Sequence, residues 1–546
     1  MVGLGALVRL IKFLQDRSFW VDEAMIAFNL GRRSFAGLLA LLEFNQLAPF
    51  PWLWLEKALF LIGGMDELLL RTPALIAGML LPWLVWRAGV RLIGPHAALV
   101  AVALTSTGAA LLFYSVELKP YTIDAAMTAL LLLMTGRWLE QAPTERRLRG
   151  IGALGVGAVL ASFPAVITLG AVGVMLLVQA AGERNIRRTG AIAGWGVLWL
   201  LAFALPQLLL YRVAGEGVAM QTFWAPALAR LGDPGLLTRA SAAANALQST
   251  VLDVQAWPGS ELFLMAMAVG AWCVLRRHGV LALLVVAGPL ALLALAWTLD
   301  QIPANQRLFL FAAPCVAMLL GAALVGMIDL VPRTLRRGAG ALAAMLVTVV
   351  VVHEGRAGLA RQKPSGGRQL ILRVMEEPAA PVWLNHGGVP VWLVYSENWE
   401  APDSARLDWY AAGRRRDRWT VGDQPTIAVD TAGLRVWRGH ARWERIAGPN
   451  GLTAVAAGEI DAGVLGEWAA AEADNLMPWL SQRPWLLLNH ERVGERAVLL
   501  RALADRGILI DSIDATKRGS LWRLRPLADV GQRPRAEITS STLLQR

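Results

Sequence analysis

Two adjacent carboxylates near the start of the chain are the first candidates for chemistry. Asp22 and Glu23 lie in the segment 19–24 (FWVDEA). A carboxylate can act as a general base and take a proton from a hydroxyl group. The same pair also suits the start of a helix, with Asp22 as the N-cap and Glu23 in the first turn, where the helix dipole favours negative charge. On the spacing alone, both interpretations stay open.

Two cations and a phenol from two later segments have the chemistry to bind an anion. Lys119 and Tyr121 lie in the turn 114–121 (YSVELKPY), and Arg307 ends the segment 301–307 (QIPANQR). A lysine holds a phosphate as a point charge, a guanidinium holds it bidentately, and a tyrosine hydroxyl adds a hydrogen bond. Residues of these types are also ordinary anchors at a membrane surface, so that alternative stays open too.

Further polar residues near these segments are secondary candidates for binding or support. They are Arg71, Glu117, Gln46 and Asp124. The chain contains no HExxH, CxxC or G-x-S-x-G pattern, so we predict no metal site built on histidine or cysteine and no serine nucleophile elbow. No cofactor is therefore certain. A divalent cation held by oxygen ligands stays an open alternative, with the ligands drawn from Asp22, Glu23, Glu43 and Glu117.

The composition indicates the surroundings in which these residues work. The chain has 546 residues, of which 56% are hydrophobic and 17% are charged, with a mean hydropathy of +0.48. Soluble globular chains are roughly 45–50% apolar and about 25% charged, so these values exclude a disordered chain and predict a multi-pass membrane protein. The net charge of +11 is mostly arginine in short loops between apolar runs. We therefore expect no nucleic-acid partner.

Apolar stretches of membrane-spanning length follow one another through the first two thirds of the chain. A short N-terminal run, Val2–Leu14, adds to ten longer ones, so that about 11 spans are expected. The ten ranges are 68–92, 97–114, 120–138, 150–165, 166–182, 190–211, 260–275, 279–298, 308–327 and 339–353. Their composition does not alternate as a transmembrane β-barrel requires, so we predict an α-helical polytopic bundle.

Arginine in the loops orients these helices. Counting spans places five arginine-bearing loops on one side, which the positive-inside rule predicts to be cytoplasmic. The arginines are Arg87, Arg91, Arg146, Arg147, Arg149, Arg184, Arg187, Arg188, Arg276, Arg277, Arg333, Arg336 and Arg337. The first outer loop, 15–65, and everything after residue 353 then lie outside. We predict a multi-pass protein of the cell (inner) membrane.

The sequence after residue 353 has the character of a soluble domain. Apolar runs of strand length occur at 389–395, 426–429, 484–489 and 508–510, and a helix is expected near 494–506. Strands alternating with a helix predict an α/β fold. We therefore divide the chain into a transmembrane domain, 1–353, and an extracytoplasmic α/β domain, 354–546.

Several motifs together resemble GT-C-type membrane glycosyltransferases, in particular family 39, which includes protein O-mannosyltransferases and bacterial aminoarabinose transferases. The segments are 18–24 (SFWVDEA), 46–49 (QLAP), 70–78 (LRTPALIAG), 117–121 (ELKPY) and 305–309 (NQRLF), followed by Pro314. The resemblance implies a GT-C-like bundle that transfers a sugar from a polyprenyl-phosphate donor on the outer face. It also implies that Asp22 is the general base with Glu23 beside it, and that Lys119 and Arg307 hold the lipid phosphate with the help of Tyr121.

Two features depart from the pattern of that family. Some relatives carry a Glu-Lys pair before the proline of the first loop, where this chain has the segment 45–49 (NQLAP). This difference puts both metal dependence and one phosphate contact in doubt. The short N-terminal run is the second departure, and we expect the true start of the chain to lie upstream.

The function that these observations favour is an inverting glycosyltransferase. Its partners would be membrane lipid, a polyprenyl-phosphate sugar donor, and an acceptor that is a lipid, a glycan or a protein. One alternative is a polytopic transporter or lipid flippase, which requires ionisable residues at mid-membrane depth. The predicted spans contain few of these, Asp124 being the main one. Another alternative is a non-catalytic membrane assembly subunit whose outer domain binds a partner.

Overall fold

The chain divides into two compact units, Met1–Lys363 and Pro364–Arg546, in a computed structural model. The structure describes residues 1–208 except 16 and 41, 227–228, 235–361 except 258, 366–376, 380–385, 388–397, 427–431, 434–438, 466, 469–470, 472–474, 476–489, 495–516 and 519–526. Each unit is a separate body with its own core, and each is described by itself.

The first unit is built of helices. In chain order they are α1 (Val2–Phe13), α2 (Val21–Arg32), α3 (Phe50–Gly63), α4 (Glu67–Leu92), α5 (Pro95–Thr107), α6 (Ala109–Tyr114), α7 (Tyr121–Glu140), α8 (Glu145–Ala161), α9 (Ala165–Gly182), α10 (Ile186–Pro206), α11 (Leu236–Gln248), α12 (Ser260–Thr298), α13 (Gln306–Phe309), α14 (Ala313–Leu330) and α15 (Arg336–Ala360). The apolar runs of the sequence therefore fold as helices, as their length and composition predict.

Six helices among the described residues are long and apolar enough to cross a membrane. They are α4, α9, α10, α12, the pair α13–α14 taken together, and α15. The chain is thus a multi-pass membrane protein, and the predicted fold class, a helical membrane bundle with an α/β domain, is confirmed. Which side of the bundle is cytoplasmic stays a prediction.

Three predicted spans differ from the helices that form. The range 97–114 is divided at Gly108, so that α5 has only 13 residues and α6 only six. The ranges 260–275 and 279–298 form one helical stretch, α12, with a break at Gly279. Gly279 has a φ of 81°, a left-handed conformation that glycine adopts without the steric penalty of a Cβ atom.

Helix α15 continues past residue 353, where the sequence predicted the domain boundary. The buried carboxylate of Glu354 attaches this part of the helix to the rest of the first unit. It accepts hydrogen bonds from the backbone N–H of Ala109 (3.2 Å), the backbone N–H of Asp253 (2.8 Å) and the indole N–H of Trp257 (2.7 Å). Because a buried carboxylate is stable only when its oxygens have such partners, Glu354 fixes this end of α15 against two other segments of the first unit.

The second unit contains a six-stranded sheet. Its strands are β1 (Val382–Leu384), β2 (Ile427–Thr431), β3 (Leu434–Arg438), β4 (Trp485–Asn489), β5 (Ile508–Thr516) and β6 (Gly519–Pro526), in the order β2-β3-β1-β4-β6-β5. Strand β1 is parallel to both β3 and β4, and the other pairs are antiparallel. Its described helices are α16 (Gly367–Met375), α17 (Val389–Tyr395) and α18 (Glu495–Asp505). The predicted α/β domain is therefore present.

One predicted strand of this unit is wrong. The run 389–395 forms the helix α17, not a strand. Pro390 lies in the first turn of α17, a position that proline favours because it needs no N–H partner there. Val389 to Val394 are all buried, and a fully buried apolar run has no periodicity that distinguishes a short helix from a strand.

Close packing in the membrane unit depends on glycines at helix contacts. A Cβ atom at Gly321 in α14 would lie 2.3 Å from the backbone oxygen of Ala97 in α5, and one at Gly270 in α12 would lie 2.1 Å from that of Leu319. Such distances are far below van der Waals contact. Glycine therefore allows the backbones of these helices to approach, as small residues commonly do in membrane bundles.

We expect Gly321→Ala to destabilise the protein by about 1–3 kcal/mol, the usual cost of overpacking a dense core. The control is Gly196→Ala in α10, where an added Cβ meets no other atom within 4 Å. Melting temperatures in detergent would test this, with a decrease for Gly321→Ala and none for Gly196→Ala. Equal melting temperatures for the two variants would contradict the close packing of α14 against α5.

Candidate active site

The two candidate carboxylates lie in the first turn of α2. The residue that caps this helix is Trp20, so Asp22 is its second residue and Glu23 its third. The interpretation of Asp22 as the N-cap is therefore wrong, while that of Glu23 as a first-turn residue is confirmed. The backbone N–H of Trp20 donates to the Glu23 carboxylate at 3.3 Å, which satisfies one of the N–H groups that a helix start leaves unpaired.

Glu23 forms a buried, bidentate ion pair with Arg71 of α4. The Nε of Arg71 donates to one carboxylate oxygen at 2.8 Å and its Nη2 to the other at 2.9 Å. The side chain of Glu23 is 0% exposed and that of Arg71 is 2% exposed. The Nη1 of Arg71 also donates to the backbone oxygen of Arg17 at 2.7 Å, so the guanidinium joins α4 to the segment that precedes α2.

A second ion pair connects this cluster to the turn before α7. Arg17 donates to Glu117 at 2.9 Å and lies 3.4 Å from Glu23. The backbone N–H of Leu118 donates to Glu23 at 2.8 Å. Burial alone would raise the pKa of Glu23, but the charges of Arg17 and Arg71 and these hydrogen bonds lower it to about 2. Glu23 is therefore a stable carboxylate whose oxygens are already engaged.

Asp22 has a different environment from its neighbour. Its carboxylate accepts a hydrogen bond from Nη1 of Arg307 at 2.8 Å, and the side chains are 22% and 21% exposed, respectively. Arg307 is the second residue of α13, and the side chain of Asn305 caps that helix by accepting from the Arg307 N–H at 3.1 Å. Two residues 285 positions apart thus form an ion pair that small molecules can reach.

Lys119 and Gln46 form another contact between the first loop and the turn before α7. The Nζ of Lys119 donates to the side-chain oxygen of Gln46 at 2.8 Å, and the lysine is 7% exposed. Gln46 in turn donates to the backbone oxygen of Phe44 at 3.2 Å. Gln46 occupies part of the sequence where some relatives carry the Glu-Lys pair, and here its amide positions a lysine that comes from a different loop.

The aromatic candidate Tyr121 begins α7 and packs edge-on against Tyr114, with the ring centroids 5.3 Å apart. Both phenols interact electrostatically with Asp22 and Arg307, which places them near that ion pair. Asp124 lies in the first turn of α7 and is buried, at 8% exposure. The structure therefore gathers Tyr121 with Asp22 and Arg307, while no described contact joins Asp124 to that pair.

The carboxylates do not fit a divalent cation. Each of the four proposed oxygen ligands faces a guanidinium: Asp22 that of Arg307, Glu23 that of Arg71, Glu43 those of Arg32 and Arg33, and Glu117 that of Arg17. Within the described ranges, no group of three or more His, Cys, Asp or Glu side chains could hold a metal ion.

Sequence reasoning missed two residues of this region. Arg17 lies five positions before Asp22 in the first outer loop, and it contacts both Glu117 and Glu23. Arg361 stacks on the ring of Phe113 at 4.8 Å and donates to Gln306 at 2.8 Å. It lies beyond the predicted domain boundary at residue 353, and in the structure it is part of the first compact unit. The sequence signal for Arg361 is its position as a basic residue shortly after an apolar run.

We expect Arg71→Ala to destabilise the protein by about 3–5 kcal/mol, because it leaves Glu23 as a buried carboxylate without its main partner. The matched control is Arg91→Ala, which breaks a more exposed pair with Glu140, where a cost of about 0–1 kcal/mol is usual. Thermal unfolding in detergent would compare the variants. Equal effects would show that the Glu23–Arg71 pair does not hold the site together.

Part of the first unit matches the sequence model of a known protein family. Residues 48–209 match the sequence model of a family described as dolichyl-phosphate-mannose-protein mannosyltransferase. The matched range includes Arg71, Lys119 and Tyr121. A comparison with curated proteins finds no match.

Several solved structures match the chain at low identity. ArnT from Cupriavidus metallidurans bound to undecaprenyl phosphate is 14% identical over 97% of this chain and 98% of that one, with a TM-score of 0.45. The archaeal oligosaccharyltransferase AglB from Archaeoglobus fulgidus, in complex with an inhibitory peptide and a dolichol-phosphate, is 12% identical over 72% of this chain and 63% of that one, with a TM-score of 0.46. The Archaeoglobus fulgidus oligosaccharyltransferase in complex with Zn and sulfate is 11% identical over 72% of this chain, with a TM-score of 0.45, and this chain spans 61% of its length.

The family match over residues 48–209 confirms the resemblance to GT-C-type membrane glycosyltransferases that the sequence motifs indicated.

Proposed function

We propose that this chain is a membrane glycosyltransferase that moves a sugar from a polyprenyl-phosphate donor to an acceptor hydroxyl. The observation that carries the proposal is the partly exposed ion pair between Asp22 and Arg307. It holds a candidate base and a candidate phosphate ligand next to each other in a protein that spans the membrane. The family match supports the general activity, and the geometry of the site supports the roles proposed for its residues.

Asp22 takes the proton in this mechanism. The acceptor oxygen forms a bond to the anomeric carbon of the sugar as the Asp22 carboxylate removes the hydroxyl proton. The bond from that carbon to the phosphate oxygen breaks, and its electron pair leaves with the polyprenyl phosphate. A single displacement of this kind inverts the anomeric configuration.

Arg307 and Lys119 stabilise the charge that develops on the leaving phosphate, with Tyr121 as a hydrogen-bond donor. Positive groups that are in place before the reaction stabilise such charge most effectively. Arg307 is paired with Asp22, so a donor phosphate competes with that carboxylate for the guanidinium. Binding of the donor would thus release the Asp22 carboxylate for the acceptor hydroxyl, which couples donor binding to activation of the base.

Glu23 is a positioning residue in this mechanism. Its oxygens accept hydrogen bonds from Arg71 and from the backbone N–H groups of Leu118 and Trp20. A carboxylate engaged in this way and with a pKa of about 2 is a poor proton acceptor. Its effect is to fix the start of α2, and with it the position of Asp22.

We expect Asp22→Asn to lower kcat by about 10²–10⁴-fold, the usual contribution of a general base, because an amide cannot accept the proton. Sugar transfer from a polyprenyl-phosphate sugar would be assayed in membranes at matched expression. The control is Asp329→Asn, which alters an exposed carboxylate paired with Arg277. Full activity of Asp22→Asn would remove the catalytic role of Asp22.

We expect Arg307→Ala to lower kcat/KM for the lipid donor by roughly 10–100-fold, since hydrogen bonds to charged groups contribute about 1.5–3 kcal/mol. Arg276→Ala, which removes an arginine stacked on Trp272, is the charge-matched control. Donor titrations of both variants and of Lys119→Ala would be compared with the unmodified protein. A donor dependence unchanged by both Arg307→Ala and Lys119→Ala would contradict their role in phosphate binding.

A further inference from the structure

A polar cavity of about 410 Å³ lies at the end of α15. Its lining includes Ser249, Asp253, Gln255, Gln306, Ala357 and Arg361. The volume is within the range of about 300–1,000 Å³ that is usual for small-molecule sites, and the lining combines acidic, basic, amide and hydroxyl groups. Arg361, which lines the cavity, lies 6.0 Å from the ring centroid of Tyr114, and that ring packs against Tyr121 with the centroids 5.3 Å apart.

Arg361 supplies a guanidinium to the wall of the cavity. It is held by stacking on Phe113, 4.8 Å from the ring centroid, and by a 2.8 Å hydrogen bond from its Nη2 to the side-chain oxygen of Gln306. In the part of the chain that the structure describes, it forms no ion pair with a carboxylate. A guanidinium that is held in place without a carboxylate partner is well suited to bind a phosphate group.

The walls of the cavity are fixed by the buried carboxylate of Glu354. Through its hydrogen bonds to Ala109, Asp253 and Trp257, Glu354 joins α15 to the start of α6 and to the loop after α11. Gln306 closes another side by donating to the backbone oxygen of Ser249 at 2.6 Å. The polar groups of the cavity are therefore positioned before any ligand binds, which lowers the entropic cost of binding.

A groove of about 610 Å³ along α15 shares Ala357 with the cavity. Val349 and Val352 contribute to its apolar part, and Arg356 lies toward the cavity end. Helix α15 is one of the helices able to span a membrane, and only 17% of its apolar window is buried within the protein. A lipid chain can therefore reach the groove from the membrane, and the arginines at its end complement an anionic headgroup.

We infer that the cavity and groove together bind the phosphate-bearing lipid donor. The lipid chain lies along α15, the phosphate contacts Arg361, and the hydroxyls of the attached sugar contact Asp253 and Gln306. This inference rests on the proposed function, since it names the place where the same donor binds.

The charged side chains of the cavity determine the orientation of the bound headgroup. Asp253 repels a phosphate but accepts hydrogen bonds from sugar hydroxyls, whereas Arg361 attracts the phosphate. Tyr114 interacts electrostatically with both Arg307 and Arg361, so the two guanidinium groups act on the same region. Arg361 therefore contacts the phosphate of the incoming donor first, and the same phosphate then competes with Asp22 for Arg307.

The test measures binding of a long-chain polyprenyl phosphate to the full-length protein in detergent. We expect Arg361→Ala to raise the Kd roughly tenfold or more, equivalent to about 1.4 kcal/mol, and Arg361→Lys to raise it less because the charge remains. The control, Arg337→Ala, removes an exposed arginine at the opposite end of α15 and should leave the Kd unchanged. An unchanged Kd for Arg361→Ala would overturn the inference.

Two further arms identify the ligand and its location. A polyprenyl phosphate with a diazirine in its chain should label residues 348–360 of the unmodified protein, so the inference stays testable even if a variant fails to fold. Labelling confined to other helices would contradict binding of the lipid chain in the groove along α15. Inorganic phosphate should compete only weakly, and competition as strong as that of the lipid would mean that the cavity binds free phosphate instead.

The outcomes separate this inference from the proposed function. One outcome is that sugar transfer requires Asp22 but lipid binding does not depend on Arg361. That outcome would support the proposed function and reject this donor site. Lipid binding that depends on Arg361 in a protein without sugar-transfer activity would retain the site and reject the function.

Discussion

The buried ion pair between Glu23 and Arg71 is the interaction on which the candidate site depends. Taking two charges out of water costs several kcal/mol per ion unless each finds a partner with good geometry, and here the pairing is bidentate. The pair brings α2 and α4 together, and the Leu118 N–H adds the turn before α7. Since Asp22 precedes Glu23 directly, the same contacts determine where Asp22 lies.

Two adjacent carboxylates thereby acquire different properties from their surroundings. Glu23 is fully buried and held by two arginines, which lower its pKa to about 2. Asp22 is partly exposed and paired with Arg307, a residue from a distant helix. Environment, and not residue type, separates a structural carboxylate from one able to exchange protons. The proposed mechanism uses this difference, because a donor phosphate can displace Asp22 from Arg307 but cannot displace Glu23 from Arg71.

A second buried carboxylate, Glu354, plays the corresponding part at the end of α15. It joins the last helix of the membrane unit to α6 and to the loop that carries Asp253. The first carboxylate fixes the helix start that carries Asp22, and the second holds segments that line the cavity with Gln306 and Arg361. In both places a carboxylate satisfied by backbone and side-chain donors holds together segments that are far apart in the chain, and so keeps the polar groups of the site in position.

Composition and hydropathy along the chain were enough to predict the membrane character, the approximate ranges of the long apolar helices and a strand near 484–489, because these features are local. It also indicated the family resemblance through short motifs. The pairing of Glu23 with Arg71, the contact of Asp22 with Arg307 and the place of Arg361 in the first unit depend on the folded chain. The buried run 389–395 likewise became a helix and not a strand. Each of these depends on contacts between residues far apart in the chain or on burial from all sides, and neither leaves a periodic signal in the sequence.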